Sequence, residues 1–210
     1  MTKTIDDIFR QGVTELRDGH GFNPYPERLH IQIPQAREQL AAGLRYFLGD
    51  RAQWLPAYDE VAAWLADSHG RGLLCVGSNG LGKTLICQNI IPVLLQQNMR
   101  KIVKVCSALD MNQHLDELLR IHILSIDDVG TEPVETINYG VRRIAFSELV
   151  DLSEKQGTLL ILSTNLRTTH GTDKEGNIVP SIEDRYGLRT YDRLKAVTKT
   201  VVFKGKSFRK

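Results

Sequence analysis

The chain has 210 residues, of which 41% are apolar, 25% charged and only 7% aromatic. That composition fits one α/β domain with an appendage and excludes collagen-like, disordered and disulfide-scaffold classes. The formal charge of +2 hides an asymmetry: residues 185–210 carry nine basic side chains against one acid, Asp192, so this segment is +8 and the remainder −6.

Cys75, Cys87 and Cys106 lie in apolar segments without C-x-x-C spacing, and the six histidines are scattered without metal-like spacing. Neither a zinc site nor a disulfide framework is expected. The first residues, Met1 to Asp7, lack the apolar run of a signal peptide, and the longest apolar runs are strand-sized. A cytoplasmic protein without membrane association is the expectation.

The first third reads as helices without strands. Ile5, Ile8, Phe9, Val13 and Leu16 recur at helical spacing up to Gly19. Gln35 to Leu48 follows, with Leu40, Leu44, Phe47 and Leu48 on one face, and Tyr58, Val61, Ala62 and Leu65 give a third helix. A boundary near Asp67 to Arg71 divides a helical N-terminal region, 1–67, from a core, 68–210. Beyond it strands and helices alternate. Strands are expected at Gly72 to Val76, Lys101 to Cys106, Ile121 to Ile126, Leu159 to Ser163 and Thr200 to Phe203. Helices are expected at Lys83 to Gln97, Leu109 to Leu119, Val141 to Gln156 and Ile182 to Leu194, and a polar loop at Thr168 to Asn177. Continuous apolar strands alternating with helices predict a parallel sheet covered on both faces.

After the first strand stands Gly77-Ser78-Asn79-Gly80-Leu81-Gly82-Lys83-Thr84, a complete G-x-x-x-x-G-K-[ST], and Leu85 continues it as a helix. Glycines let the backbone N–H groups turn toward a β-phosphate, aided by the helix N-terminus. Lys83 would reach the β- and γ-phosphates and the Thr84 hydroxyl would hold Mg²⁺. A Gly-rich turn is the plain alternative, but the flanking strand and helix favour nucleotide binding.

The strand Ile123-Leu-Ser-Ile126 ends in Asp127 and Asp128. Two acids at a strand end need a reason, and Mg²⁺ between Thr84 and Asp127 supplies one, leaving Asp128 to polarise the attacking water. A structural alternative is that the acids cap the turn at Val129-Gly130. The next apolar strand ends in Asn165, whose amide could bond the γ-phosphate and the nucleophilic water together. Arg185, Arg189 and Arg193 fall at spacings of four, which on one helix would make a basic stripe. Either that stripe is a solvated face, or one of its arginines, Arg193 first, reaches a neighbouring subunit's γ-phosphate.

The ordered set, phosphate loop, Ile-Asp-Asp, Ser-Thr-Asn-Leu, Arg-Tyr-Gly-x-Arg-x-x-Asp-Arg-Leu and Gly205-Lys-Ser-Phe-Arg209, resembles the AAA+ branch of DnaC/DnaI-type helicase loaders and IstB-type transposition helper ATPases. The resemblance covers roughly the last two-thirds of the chain. It implies a P-loop NTPase of AAA+ type with a five-stranded parallel sheet, and ATP and Mg²⁺ as cofactors. It further implies head-to-tail self-association, single-stranded DNA and a replicative helicase as partners, and a role in DNA replication. Residues 77–85 would bind the nucleotide, Thr84 and Asp127 the metal, and Lys83, Asp128, Asn165 and Arg193 would serve hydrolysis. No C-terminal lid is expected, with Arg209 standing in for the arginine a lid often supplies. A transposase as client and a P-loop kinase acting on a small molecule are the alternatives.

Overall fold

A computed structural model describes residues 4–21, 26–138, 140–168, 170–172, 178–205 and 207–208. Helix α1 spans Ile5–His20, opened by a capping box between Thr4 and Asp7, and it leaves Ile5, Ile8, Phe9 and Leu16 exposed. Residues 26–33 carry no helix or strand, and α2, Ala36–Leu48, a 3-10 turn at Gly49–Arg51 and α3, Pro56–Ala66, follow. In α2 Leu40 and Leu44 are buried, whereas Phe47, expected on the same face, is 42% exposed.

Strand β1, Gly72–Gly77, runs into the phosphate loop. The following helix has three parts: α4 at Lys83–Leu85, a π turn at Ile86–Ile90 and α5 at Ile91–Met99. Pro92 lies in the first turn of α5 and has no N–H to continue the ladder, an interruption of the kind π turns absorb. Then come β2, Lys104–Ser107, α6, Ala108–Gln113, α7, Leu115–Leu118, and β3, Ile123–Val129. A hairpin of β4, Thr136–Asn138, and β5, Val141–Arg143, precedes α8, Ala145–Gln156, and β6, Leu159–Thr164. A second small hairpin pairs β7, Gly171–Thr172, with β8, Ile178–Val179. The fold closes with α9, Ile182–Tyr186, α10, Leu188–Val197, and β9, Thr198–Phe203.

Five strands form one parallel sheet in the order β2-β3-β6-β1-β9. Strand β6 therefore separates the phosphate-loop strand from the strand bearing the acids. Helices cover both faces. One buried cluster joins Leu40, Leu44, Tyr58, Trp64 and Leu65 of α2 and α3 to β1 and to Ile86, Cys87, Ile90 and Leu95 behind the phosphate loop. The other joins Met111, Leu115, Phe146, Leu149, Ile182 and Leu194 to the opposite face. This is an α/β fold built on a five-stranded parallel sheet, as the alternation of apolar strands and helices predicts. Residues 36–66, grouped above with an N-terminal region, contribute α2 and α3 to the same core as β1.

Four expected elements are corrected. Strand β2 is shorter than 101–106 and begins at Lys104, with Ile102 81% exposed outside the sheet. The helix expected over 109–119 breaks at His114, whose φ of −117° and ψ of 25° leave the helical region. Residues 141–143, expected in a helix, form β5; Ile137 and Val141 face solvent there, so their apolar character marks a hairpin and not a buried helical face. The helix expected over 182–194 breaks at Gly187, whose φ of 84° and ψ of 155° turn the chain between α9 and α10. The capping boxes Ser107/Asp110 and Ser181/Asp184 open α6 and α9, each satisfying otherwise unpaired helix N–H groups. No helix among the described residues is long and apolar enough to cross a membrane. Cys75, Cys87 and Cys106 are buried free thiols.

Candidate functional site

The loop between β1 and α4 is held from beneath by the core. Tyr58 of α3, fully buried, donates its hydroxyl to the Leu81 carbonyl at 3.1 Å, and Leu81 is itself fully buried. Burial pushes the Tyr58 phenol up to about 12, so it remains a donor at neutral pH. Gly82 has a φ of 82°, and a Cβ there would stand 2.6 Å from the Tyr58 hydroxyl oxygen. The loop thus requires glycine at this position both for its backbone and for the support beneath it. From above, the Phe208 N–H donates to the Gly80 carbonyl at 2.9 Å.

Lys83 is 5% exposed, and its Nζ donates to Gly77 O at 2.8 Å, Ser78 O at 2.9 Å and Asn165 Oδ1 at 2.9 Å. Burial lowers the pKa of its ammonium, while the charges of Asp128 and Asp127 oppose that shift. The Asn165 amide nitrogen in turn reaches Asp128 Oδ1 at 3.5 Å. The expected site residues of three different strands, Lys83, Asn165, Asp127 and Asp128, are thus brought to one end of the sheet.

The two acids sit at an irregularity in the ladder. Ile126 pairs with Leu162 and Val129 with Thr164, so β3 carries one residue more than β6 across this interval. Asp128 takes a φ of 53°, left-handed backbone that a non-glycine residue adopts only at a cost. Such a bulge re-aims side chains at a strand end. Ser163, fully buried on β6, holds the pair: its hydroxyl donates to Asp127 Oδ1 and accepts the Asp128 N–H at 3.1 Å. The turn that follows is not capped by the acid side chains. Glu132, 2% exposed, accepts the Gly130 N–H at 2.8 Å, and its other oxygen accepts the Tyr186 hydroxyl. Ser163, Tyr58 and Glu132 were not singled out from the sequence, because a lone serine, tyrosine or glutamate carries no spacing signal.

The half-buried Thr84 hydroxyl, in the first turn of α4, and the Asp127 carboxylate offer hard oxygen donors beside the phosphate loop. That donor set suits Mg²⁺, which prefers one or two protein oxygens together with phosphate. The residues present therefore fit the group that the motifs call for.

The three arginines are separated. Arg185 lies on α9, over the Tyr186 ring and bonded to the Glu132 carbonyl. Arg193 on α10 is enclosed by α8: it pairs with Asp151 and, at 2.9 Å, with Glu154. The Asp151 contact raises its pKa further. Arg189 is exposed, without a side-chain ion pair or hydrogen bond among the described residues. The single stripe expected over 185–193 does not form, because Gly187 reorients the first of the three. In the basic C-terminal segment Lys204 is exposed, while Lys206, Arg209 and Lys210 lie outside the described residues, as do Thr169 and residues 173–177 of the polar loop.

No protein-family model matches the chain. No curated protein matches it either. It is similar to the solved structure of DnaI, at 15% identity over 66% of this chain and 73% of that one, with a TM-score of 0.48. It is similar to the structure of the DnaC helicase loader, at 15% identity over 88% of this chain and 95% of that one, with a TM-score of 0.49. A third likeness is to a primosome component from Streptococcus pyogenes, at 11% identity over 84% and 87% of the two chains, with a TM-score of 0.49.

Proposed function

We propose that this chain is an ATPase that binds ATP with Mg²⁺, assembles head-to-tail, and loads or remodels a replicative helicase on single-stranded DNA. The observation that carries the ATPase part is the bond from Lys83 Nζ to Asn165 Oδ1 at 2.9 Å, with Asn165 also reaching toward Asp128. It links the three strand ends that phosphoryl chemistry needs. The client and the DNA rest on the motif order alone.

In the proposed reaction, residues 77–85 cradle the phosphates with backbone N–H groups and the helix terminus. Lys83 exchanges its carbonyl partners at Gly77 and Ser78 for phosphate oxygens, a trade of neutral acceptors for charged ones that favours binding. Thr84 and Asp127 would hold Mg²⁺, which when bound neutralises charge on the phosphate oxygens. Asp128 accepts a hydrogen bond from the attacking water, and Asn165 lies between it and Lys83. Catalysis here is positioning and charge stabilisation, so turnover stays slow until an arginine arrives from the next subunit. Heterologous contacts of this kind build rings or open helices. Arg193, assigned that role by its motif, would have to leave Asp151 and Glu154 to fill it; Arg189 is already exposed.

The test is ATP binding and hydrolysis in parallel. Asp128→Asn should retain ATP binding by calorimetry and lose hydrolysis. Unchanged turnover would remove Asp128 from the mechanism. Co-purification with a replicative helicase supports the client assignment, and retrieval of a transposase in its place overturns it.

A further inference from the structure

At the end of β1 opposite the phosphate loop, two histidines separated by 39 positions meet. His30 lies in the stretch without helix or strand before α2, and Asp67 and His69 lie in the turn from α3 to β1. Ser68, buried, fastens the two segments: its N–H donates to Ile31 O at 3.1 Å and its hydroxyl accepts the Ile31 N–H at 2.8 Å. Ile33 N–H adds a bond to Leu65 O at 2.9 Å. This pairing sets His30 opposite the turn.

Both imidazoles then converge on a single oxygen. His30 Nε2 is 2.5 Å and His69 Nδ1 3.1 Å from Asp67 Oδ1, and one ligand atom from each of the three residues lies within 4.8 Å of the others. His69 has a φ of 48°, a left-handed backbone unusual for this residue type. Its own N–H donates to Asp67 Oδ1 at 2.8 Å. The three side chains are 46%, 40% and 78% exposed, which leaves room for water.

Two imidazoles and one carboxylate are the donor set of a borderline divalent ion such as Zn²⁺. Mg²⁺ and Ca²⁺ favour all-oxygen sites, so the two nitrogens select against them. We propose that His30, Asp67 and His69 form a binding site for a zinc-class divalent metal ion, with water completing its coordination. The ion would clamp the stretch before α2 to the turn that leads into β1. Its effect is on stability, and the proposal does not depend on what the phosphate loop binds.

The experiment uses the full chain, stripped with a chelator and titrated with Zn²⁺ by calorimetry without nucleotide. One equivalent should bind in the micromolar range. Free Zn²⁺ at about a hundred times its Kd should raise the unfolding temperature by roughly 5–10 °C. His30→Ala and His69→Ala should each weaken binding by about tenfold or more, and the double variant should lose this equivalent. All three side chains are on the surface, so the metal-free variants should unfold at the wild-type temperature. Co²⁺ gives a second readout, a visible spectrum of nitrogen-ligated ion that disappears in the double variant. Absence of binding at millimolar Zn²⁺, or equal affinity and spectrum in the double variant, overturns the proposal; the latter would put the ion elsewhere, for example on Asp127 and Asp128.

Discussion

Replacing Tyr58 by Phe removes one atom that joins the core to the phosphate loop. The lost bond is 3.1 Å long and runs from the Tyr58 hydroxyl to the carbonyl of Leu81, both residues being completely buried. A buried carbonyl left without its donor costs about 1–3 kcal/mol. The ring itself stays, with its edge-on contact to Trp54 and its tilted contact to Phe203, so no cavity larger than one oxygen opens. For a chain of this length each kcal/mol moves the unfolding temperature by about 2–4 °C, so the fall should lie between roughly 2 and 12 °C. The loop also loses part of its preorganisation. If about 1 kcal/mol of that support is needed to hold the loop ready, ATP affinity falls by roughly fivefold. Scanning calorimetry and ATP titration of Tyr58→Phe read the two effects separately. A variant with the wild-type unfolding temperature and the wild-type ATP affinity would refute the view that α3 holds the loop.

Ser163→Ala should leave the Asp128 N–H and the Asp127 carboxylate short of a partner, costing about 1–3 kcal/mol, with hydrolysis falling more than ATP binding; steady-state turnover beside calorimetry distinguishes the two. Mixing Arg193→Ala subunits with Lys83→Ala subunits should restore part of the hydrolysis if the arginine acts on a neighbour, and the same mixture with Arg189→Ala tests the exposed alternative. Rescue with Arg189→Ala alone would move the assignment to Arg189. Acid should loosen the helix starts. The carboxyls of Asp110 and Asp184 are held below the usual value by hydrogen bonds from Ser107 and Ser181. A lowered folded pKa contributes stability that is present above the unfolded value, about 4, and is lost as pH falls through the folded one. The unfolding temperature should therefore drop below pH about 4, and in Ser181→Ala that drop should be shallower.

The residues of the candidate site were legible because their spacing is local. Gly77 to Thr84 is one continuous motif, and Asp127, Asp128 and Asn165 each end an apolar strand, so the sheet order alone gathers them. The supports were not legible. Tyr58 reaches Leu81 across 23 positions and Ser163 reaches Asp127 across 36, distances over which a single sequence carries no pairing signal. Helical periodicity also misled where a turn residue intervened, as at Gly187, which a repeat of four counted through. The histidines illustrate the same limit, since His30 and His69 become neighbours only through the Ile31–Ser68 pairing.

Lys83 and its loop are proposed above to form a triphosphate site. Titration of the wild-type chain and of Lys83→Ala with ATP and Mg²⁺ by calorimetry tests it most directly. Saturable binding by the wild type and none by the variant is expected, with circular dichroism checking that the variant, which loses the bonds from Lys83 to Gly77, Ser78 and Asn165, remains folded. Equal ATP affinity in the two proteins would contradict it.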